Sequence, residues 1–333
     1  MYLMQGCWGG GVSSVSIALV TCVIHVYSAT WVMPSLDLIV QYILFPVKVF
    51  FLIISNFLLL CRHFFIPLIP SIPGLQSFSG LLMHSHDYRR PDVFEGKHVV
   101  ILGAAASGQD ICLEVATKAE IVYLSHKGNV PSKLPDNVKQ QRSISFVSTD
   151  GTVHFDDGQQ RKADAILLCT GYEFSFPFLS DACGIEVCNN RVTHLYKHIF
   201  NTKYPTLSFI GLCLRICPFA LFSLQAQYIA AVLSGKKKLP SEKNMNDEEE
   251  KDFQEKLSSG LDKKYAHVLD DRQKEYYRTI AHLAGAQPIS EIYGDLFKYI
   301  VSYRMLNFLM EYKNDEYKVN ADGTWTRIEK DKN

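Results

Sequence analysis

The residues whose types and spacing most resemble a chemical device are Gly103-Ala104-Ala105-Ala106-Ser107-Gly108. They follow an apolar run, Val99-Val100-Ile101-Leu102, of the kind a buried parallel strand shows. After them, Ile111, Leu113 and Val115, together with Cys112, supply the apolar face of a helix. A strand, a glycine-rich turn and a helix together can hold a dinucleotide's pyrophosphate. The first glycine makes the tight turn, the second lets backbone approach phosphate, and the third lets helix pack on strand. The helix N-terminus adds N–H groups and a partial positive charge, and Ser107 lies where that helix should begin. Gly103 and Gly108 hold the outer positions, but Ala105 holds the middle one and its methyl narrows the approach. On these residues alone, a cofactor turn and an ordinary strand–helix turn both stay open.

The next apolar run, Ile121-Val122-Tyr123-Leu124, ends at Ser125-His126-Lys127. That is roughly twenty residues past the glycines, where an NAD site wants Asp or Glu for the ribose 2′-hydroxyl. No carboxylate stands there, since Glu120 precedes the strand. A hydroxyl, an imidazole and an ammonium suit a 2′-phosphate, which favours NADP over NAD; a solvated loop is the plain alternative. A third run, Ala165 to Cys169, ends at Thr170-Gly171-Tyr172, after a hairpin pattern at 144–147 and 153–155 that turns at Asp156-Asp157-Gly158. Gly171 permits close passage of a cofactor, or simply a turn.

Other chemistry is missing. No Ser/His/Asp set or paired-carboxylate motif stands out, and His84 and His86 lack convincing third and fourth metal ligands. No metal is expected. Lys236-Lys237-Lys238, beside Pro240, reads as a solvated turn.

These elements sit in a chain of 333 residues, room for about two domains of roughly 100–200 residues. Lys+Arg and Asp+Glu are both 34, which argues against a nucleic-acid partner. Apolar content of 47%, with 20 Phe and 17 Tyr, excludes a disordered chain. Nine cysteines without a CxxC pair and no Asn-x-Ser/Thr acceptor suggest a reduced, cytosol-facing body. Charge is uneven: residues 1–61 carry only Asp37 and Lys48. Val15 to Met33 is uncharged and long enough to span roughly 30 Å of hydrocarbon; Leu38 to Leu60 is a second candidate, weakened by Pro46 and Lys48. A membrane segment, a stretch foreign to the natural fold and a soluble core helix remain the three readings. A secretory signal is disfavoured because no positive charge precedes the apolar run.

The order of motifs is specific. Phe78, Gly80, His84 and Tyr88 form FxGxxxHxxxY ahead of the glycine turn, and Arg89-Arg90-Pro91 follows. Downstream come Thr170-Gly171-Tyr172, then Phe209-Ile210-Gly211-Leu212, Pro218-Phe219 and Leu224-Gln225-Ala226. Over about residues 61–333 the chain resembles the flavin-containing monooxygenases, more than the related Baeyer–Villiger enzymes. The resemblance implies NADP(H) and FAD as cofactors, O₂ as co-substrate, and a small amine or thioether as the soft nucleophile oxygenated. It implies NADP binding by Gly103, Ala105, Ser107, Gly108, Ser125 and Lys127, with Thr170 and Gly171 at the cofactor and Gln225 near the isoalloxazine. Phe78, Gly80, His84 and Tyr88 become linker and domain-positioning residues. Ser223 departs from an acidic residue common two places before the glutamine. Residues 1–60 also lack the strand–GxGxxG–helix unit with which the family holds FAD; Gly9-Gly10-Gly11 has the wrong spacing.

The expected fold is α/β: a Rossmann-like dinucleotide-binding (NADP) domain plus a partial FAD domain, with an apolar N-terminal helical extension. Residues 1–60 form that extension and 61–91 a connecting segment of the flavin domain. Residues 92–200 form the NADP domain, and 201–333 the rest of the flavin domain and a helical tail, with helices near Asn246–Leu257 and Glu291–Tyr312. A membrane-associated location facing the cytosol, such as the endoplasmic reticulum, follows if the extension is native, and a cytoplasmic one otherwise. Two alternatives stand beside the enzyme: a truncated, non-catalytic NADP-binding remnant, and a membrane-anchored interaction protein.

Overall fold

The computed structural model describes residues 51–54, 57–60, 66–128, 134–306, 315–320 and 322–328. Its contacts divide the chain into two units, one made of 66–172 with 298 onward, the other of the N-terminal strands with 173–297.

The first unit is built on a parallel sheet. Its strands run Leu81–His84, Ala165–Leu168, His98–Leu102, Ile121–Ser125 and Val138–Gln141 in spatial order. Neighbours are parallel throughout. Val99 and Ile101 pack toward Phe94, Cys112 and Val115 on one face, whereas Val100 packs toward Tyr123, Val153 and Ile166 on the other. Strands covered on both faces read as continuous apolar runs rather than alternating ones. The glycine-turn helix, Ala106–Ala116, covers the first face. An antiparallel ribbon of Ile144–Val147, Thr152–Phe155 and Gln160–Lys162 covers the second. Each Val or Ile buried this way contributes about 1.5–3 kcal/mol. A hairpin of Glu316–Val319 and Trp325–Ile328 packs Trp325 against Tyr299, 4.4 Å between ring centroids.

The second unit has a sheet ordered Phe51–Ile54, Phe57–Leu60, Leu207–Phe209, Phe200–Asn201 and Leu195–Tyr196. Leu207–Phe209 runs parallel to Phe57–Leu60, and the other pairs are antiparallel. Helices Pro218–Leu233, Glu242–Ser258 and Gln273–Ala284 follow, then the start of Ile292–Leu306. Tyr276, Tyr277, Ile280, Ala281 and Ala284 recur at helical spacing and close on Leu221, Leu224 and Ile229 in one core. Gly285, at φ 63°, ends the Gln273–Ala284 helix in the left-handed conformation.

Several expectations change. Leu38 to Leu60 was a candidate spanning helix, yet its described part is two antiparallel strands, Phe51–Ile54 and Phe57–Leu60. Phe, Leu and Ile suit a strand as well as a helix, and pairing with Leu207–Phe209 decides. Val15 to Met33 lies outside the described residues. Among the described residues no helix is long and apolar enough to cross a membrane. The boundary expected at 200 falls at 172, because Val192 and Leu195 pack with Leu207, Phe209 and Leu212. Residues from Ile66 to Pro91 join the parallel-sheet unit and supply its edge strand, instead of forming a connection of the flavin domain. The helix expected at Asn246–Leu257 begins at Glu242, where the Ser241 hydroxyl caps by accepting the Asn244 N–H.

Candidate nucleotide site at the carboxyl edge of the parallel sheet

In a parallel sheet all strands end on one edge, and ligands of such sheets bind outside that edge. Here it carries the turns after Leu102, Ser125 and Leu168, so Gly103–Gly108, His126–Lys127 and Cys169–Gly171 come together in one unit.

Backbone crowding explains both glycines. Gly103 has φ 104°, and its N–H donates to the Ser125 carbonyl at 2.9 Å. A Cβ on Gly103 would stand 2.4 Å from the Cys169 carbonyl oxygen; one on Gly108 would stand 1.8 Å from that of Gly103. The turn closes and the helix lies against the strand only because both side chains are hydrogen. Gln109 fastens the turn, its Nε2 donating to the Ala104 carbonyl at 2.8 Å. Ala105 is the N-cap at φ −76°, ψ −168°, an extended conformation in which an alanine bears no strain. It offers no side-chain cap, the first turn holds no acidic residue, and Ala105, Ala106 and Ser107 are exposed. The first turn of the helix therefore sets no carboxylate of its own against the positive end.

The residues after the second strand divide. Lys127 is exposed and His126 half-buried, with Nε2 3.1 Å from Gln140 Oε1. Ser125, expected to offer its hydroxyl, is fully buried and donates to the Arg142 carbonyl at 2.7 Å. Being the last residue of a strand covered on both sides, it points inward and braces its neighbour. Arg142 itself, exposed just past the adjacent strand Val138–Gln141, escaped sequence reasoning. The spacing that marks Ser125–Lys127 is local, whereas Arg142 reaches this edge only through strand pairing.

Thr170 and Gly171 bind their own chain: the Thr170 hydroxyl donates to the Leu68 carbonyl, and the Gly171 carbonyl accepts the Leu68 N–H at 2.9 Å. Gly171 keeps φ 84° with open space around it. Gln225 lies in the other unit, wholly buried. Its Oε1 accepts the Gly211 N–H at 3.1 Å, and its Nε2 donates to the Tyr276 hydroxyl at 3.1 Å and approaches Cys213 Sγ. Its amide is thus held by the protein's own groups, as buried amides generally are.

The FxGxxxHxxxY residues are built into the parallel-sheet unit. Phe78 is in its core, and a Cβ on Gly80 would stand 2.4 Å from the Asp164 carbonyl oxygen. His84 is buried and packs edge-on to Tyr172 at 5.3 Å; its Nδ1 accepts the His86 N–H at 3.0 Å. Burial holds its pKa below the ordinary value, so it stays neutral. Tyr88 donates to Glu114 Oε2 at 3.0 Å, fastening the motif to the glycine-turn helix. Burial pushes the Cys112 and Cys169 thiols up to about 12, so neither is a nucleophile at neutral pH.

Comparison with known proteins matches the chain to the flavin-binding monooxygenase-like family model over residues 52–133 and 128–302. Flavin-containing monooxygenase FMO GS-OX-like 2 of Arabidopsis thaliana is 42% identical over 227 residues, covering 66% of this chain and 49% of the relative. FMO GS-OX4 of the same plant is 40% identical over 232 residues, covering 68% and 50%. Among solved structures, the S-allyl-L-cysteine S-oxygenase from Allium sativum aligns with TM-score 0.70 at 34% identity, covering 77% of this chain and 62% of that one. Tmm from Pelagibacter sp. strain HTCC7211 aligns with TM-score 0.67 at 25% identity, covering 83% and 66%. The chain spans about half the length of these curated relatives.

Proposed function

The chain belongs to the flavin-binding monooxygenase-like family, and from that premise we propose that its Gly103–Gly108 turn holds NADPH for oxygenation of a small amine or thioether by O₂. One observation carries the reading: an exposed helix start with no acidic residue in its first turn, over a backbone cradle that only two glycines allow. A pyrophosphate fits such a cradle through backbone N–H groups and the helix dipole. Ala105 presents one exposed methyl beside the phosphates, and Lys127 and Arg142 supply cations for a 2′-phosphate. NADPH bound there supplies a hydride. The protein's part is to fix the nucleotide at the strand ends, Tyr88 and Gln109 holding the turn in place.

For FAD, the family's second cofactor, the described residues of 173–297 provide no glycine turn of this kind. The Allium relative is an S-allyl-L-cysteine S-oxygenase, which supports a soft sulfur nucleophile. The test is to supply the full chain with FAD and NADPH and follow O₂ uptake with a thioether and with a tertiary amine. Substrate-dependent oxygen uptake with retained yellow colour supports the whole proposal. NADPH binding without flavin retention confines the chain to nucleotide binding, as the remnant reading holds. Absence of NADPH binding overturns it.

A further inference from the structure

The Glu242–Ser258 helix meets the 191–198 segment through a set of charged groups. Its buried residues are Met245, Phe253 and, unexpectedly, Lys256. Three carboxylates reach the 191–198 segment: Glu249 and Glu250 pair with Arg191 at 2.7 and 3.0 Å, and Glu248 pairs with Lys197. Arg191 also lies over the Phe253 ring, 3.5 Å from its centroid.

Behind these pairs runs a buried chain of polar groups. His267 Nε2 accepts the Val192 N–H at 2.9 Å, so its proton sits on Nδ1 and donates to His198 Nδ1 at 3.1 Å. His198 then carries its own proton on Nε2, directed at Asp252 Oδ2 3.8 Å away, while Lys256 Nζ, 3.5 Å off, turns its own protons to Ala266 and Asp252. Lys256 donates to the Ala266 carbonyl at 2.5 Å and pairs with Asp252 at 2.7 Å. Both accepting ring nitrogens are thus occupied. A proton added to either would set donor against donor.

The added charge would also meet other cations. Facing the pair are Lys256 from the helix, Arg191 and Lys197 from the 191–198 segment, and Arg272. Asp252 is the carboxylate nearest them, already shared by Lys256 and Arg272. Tyr276, tilted over His198, is neutral, its hydroxyl donating to the Lys197 carbonyl. Burial and these cations hold both histidines well below the ordinary 6.5.

We propose that the His198–His267 pair is an acid-operated latch: protonating it forces the Glu242–Ser258 helix off the 191–198 segment. Histidines that are neutral when docked and free to charge when released make release take up protons. Docking is then fully favoured above about pH 6.5 and weakens as pH falls below it. Glu250, held below its usual range by Gln254 and Arg191, enters only in more acid solution, so the window from 7.5 to 5.5 belongs to the histidines. Each contributes about tenfold in the opening equilibrium across that window, about 100-fold together.

Amide hydrogen exchange of the full chain, read by mass spectrometry and corrected for intrinsic rates, tests this. Opening of residues 242–258 should rise about 100-fold from pH 7.5 to 5.5, relative to the His98–Leu102 strand, and the H198Q/H267Q variant should lose that rise. Should the variant fail to fold, NMR titration of the wild-type rings decides, with two histidines expected to charge only as the helix opens. A pH-independent helix, or rings that charge near pH 6.5 with the helix closed, overturns the latch.

Discussion

Ser125 and Gln225 show how residues singled out for a cofactor are also tied into the protein's own interior. Both were expected at cofactors, and both are fully buried with their polar atoms bonded inside the protein. Ser125→Ala should leave NADPH affinity unchanged in calorimetry while lowering stability by about 1 kcal/mol, because the Arg142 carbonyl loses its donor. Gln225→Leu should cost about 2 kcal/mol in urea unfolding, since the Gly211 N–H and the Tyr276 hydroxyl lose a buried partner. A loss under 0.5 kcal/mol would mean the amide braces nothing. Residue types and spacing located Lys127 on the surface, but direction of a side chain depends on which face of a strand is covered. That information lies in the sheet, not in the Ser-His-Lys string.

At the scale of elements, the strand–turn–helix from Val99 to Ala116 was legible because three local signals agree: a continuous apolar run, paired glycines and a helical apolar face. The structure adds the reason for each glycine. Gly108→Ala, which would put a methyl 1.8 Å from the Gly103 carbonyl oxygen, should lower the melting temperature with a loss of about 1–3 kcal/mol. It should weaken NADPH binding at least tenfold by displacing the helix start, about 1.4 kcal/mol. Unchanged affinity in a folded Gly108→Ala protein would separate the turn from the cofactor. The strand pair Phe51–Ile54 and Phe57–Leu60 was not legible: both segments are apolar in a way that, within the longer apolar run, reads as a helix. Only the distant Leu207–Phe209 strand, about 150 residues on, makes them strands.

For the whole molecule, long-range pairing decides what composition could not. Residues 173–200 looked continuous with the nucleotide domain, but their apolar side chains complete the core of the second unit. Residues 66–91 looked like a connection, but Leu81–His84 is the edge of the parallel sheet, and the FxGxxxHxxxY motif works there as internal bracing. The chain thus holds one complete strand–glycine turn–helix unit among its described residues, the one to which the proposed function assigns NADPH.

Calorimetric titration of the full chain with NADPH and NADH, repeated on Lys127→Ala, addresses that use most directly. The account requires NADPH to bind more tightly than NADH by about tenfold or more, the worth of one charge-assisted contact to the 2′-phosphate, and Lys127→Ala to erase most of the difference. Equal affinity for the two nucleotides, or no heat with either, would contradict it.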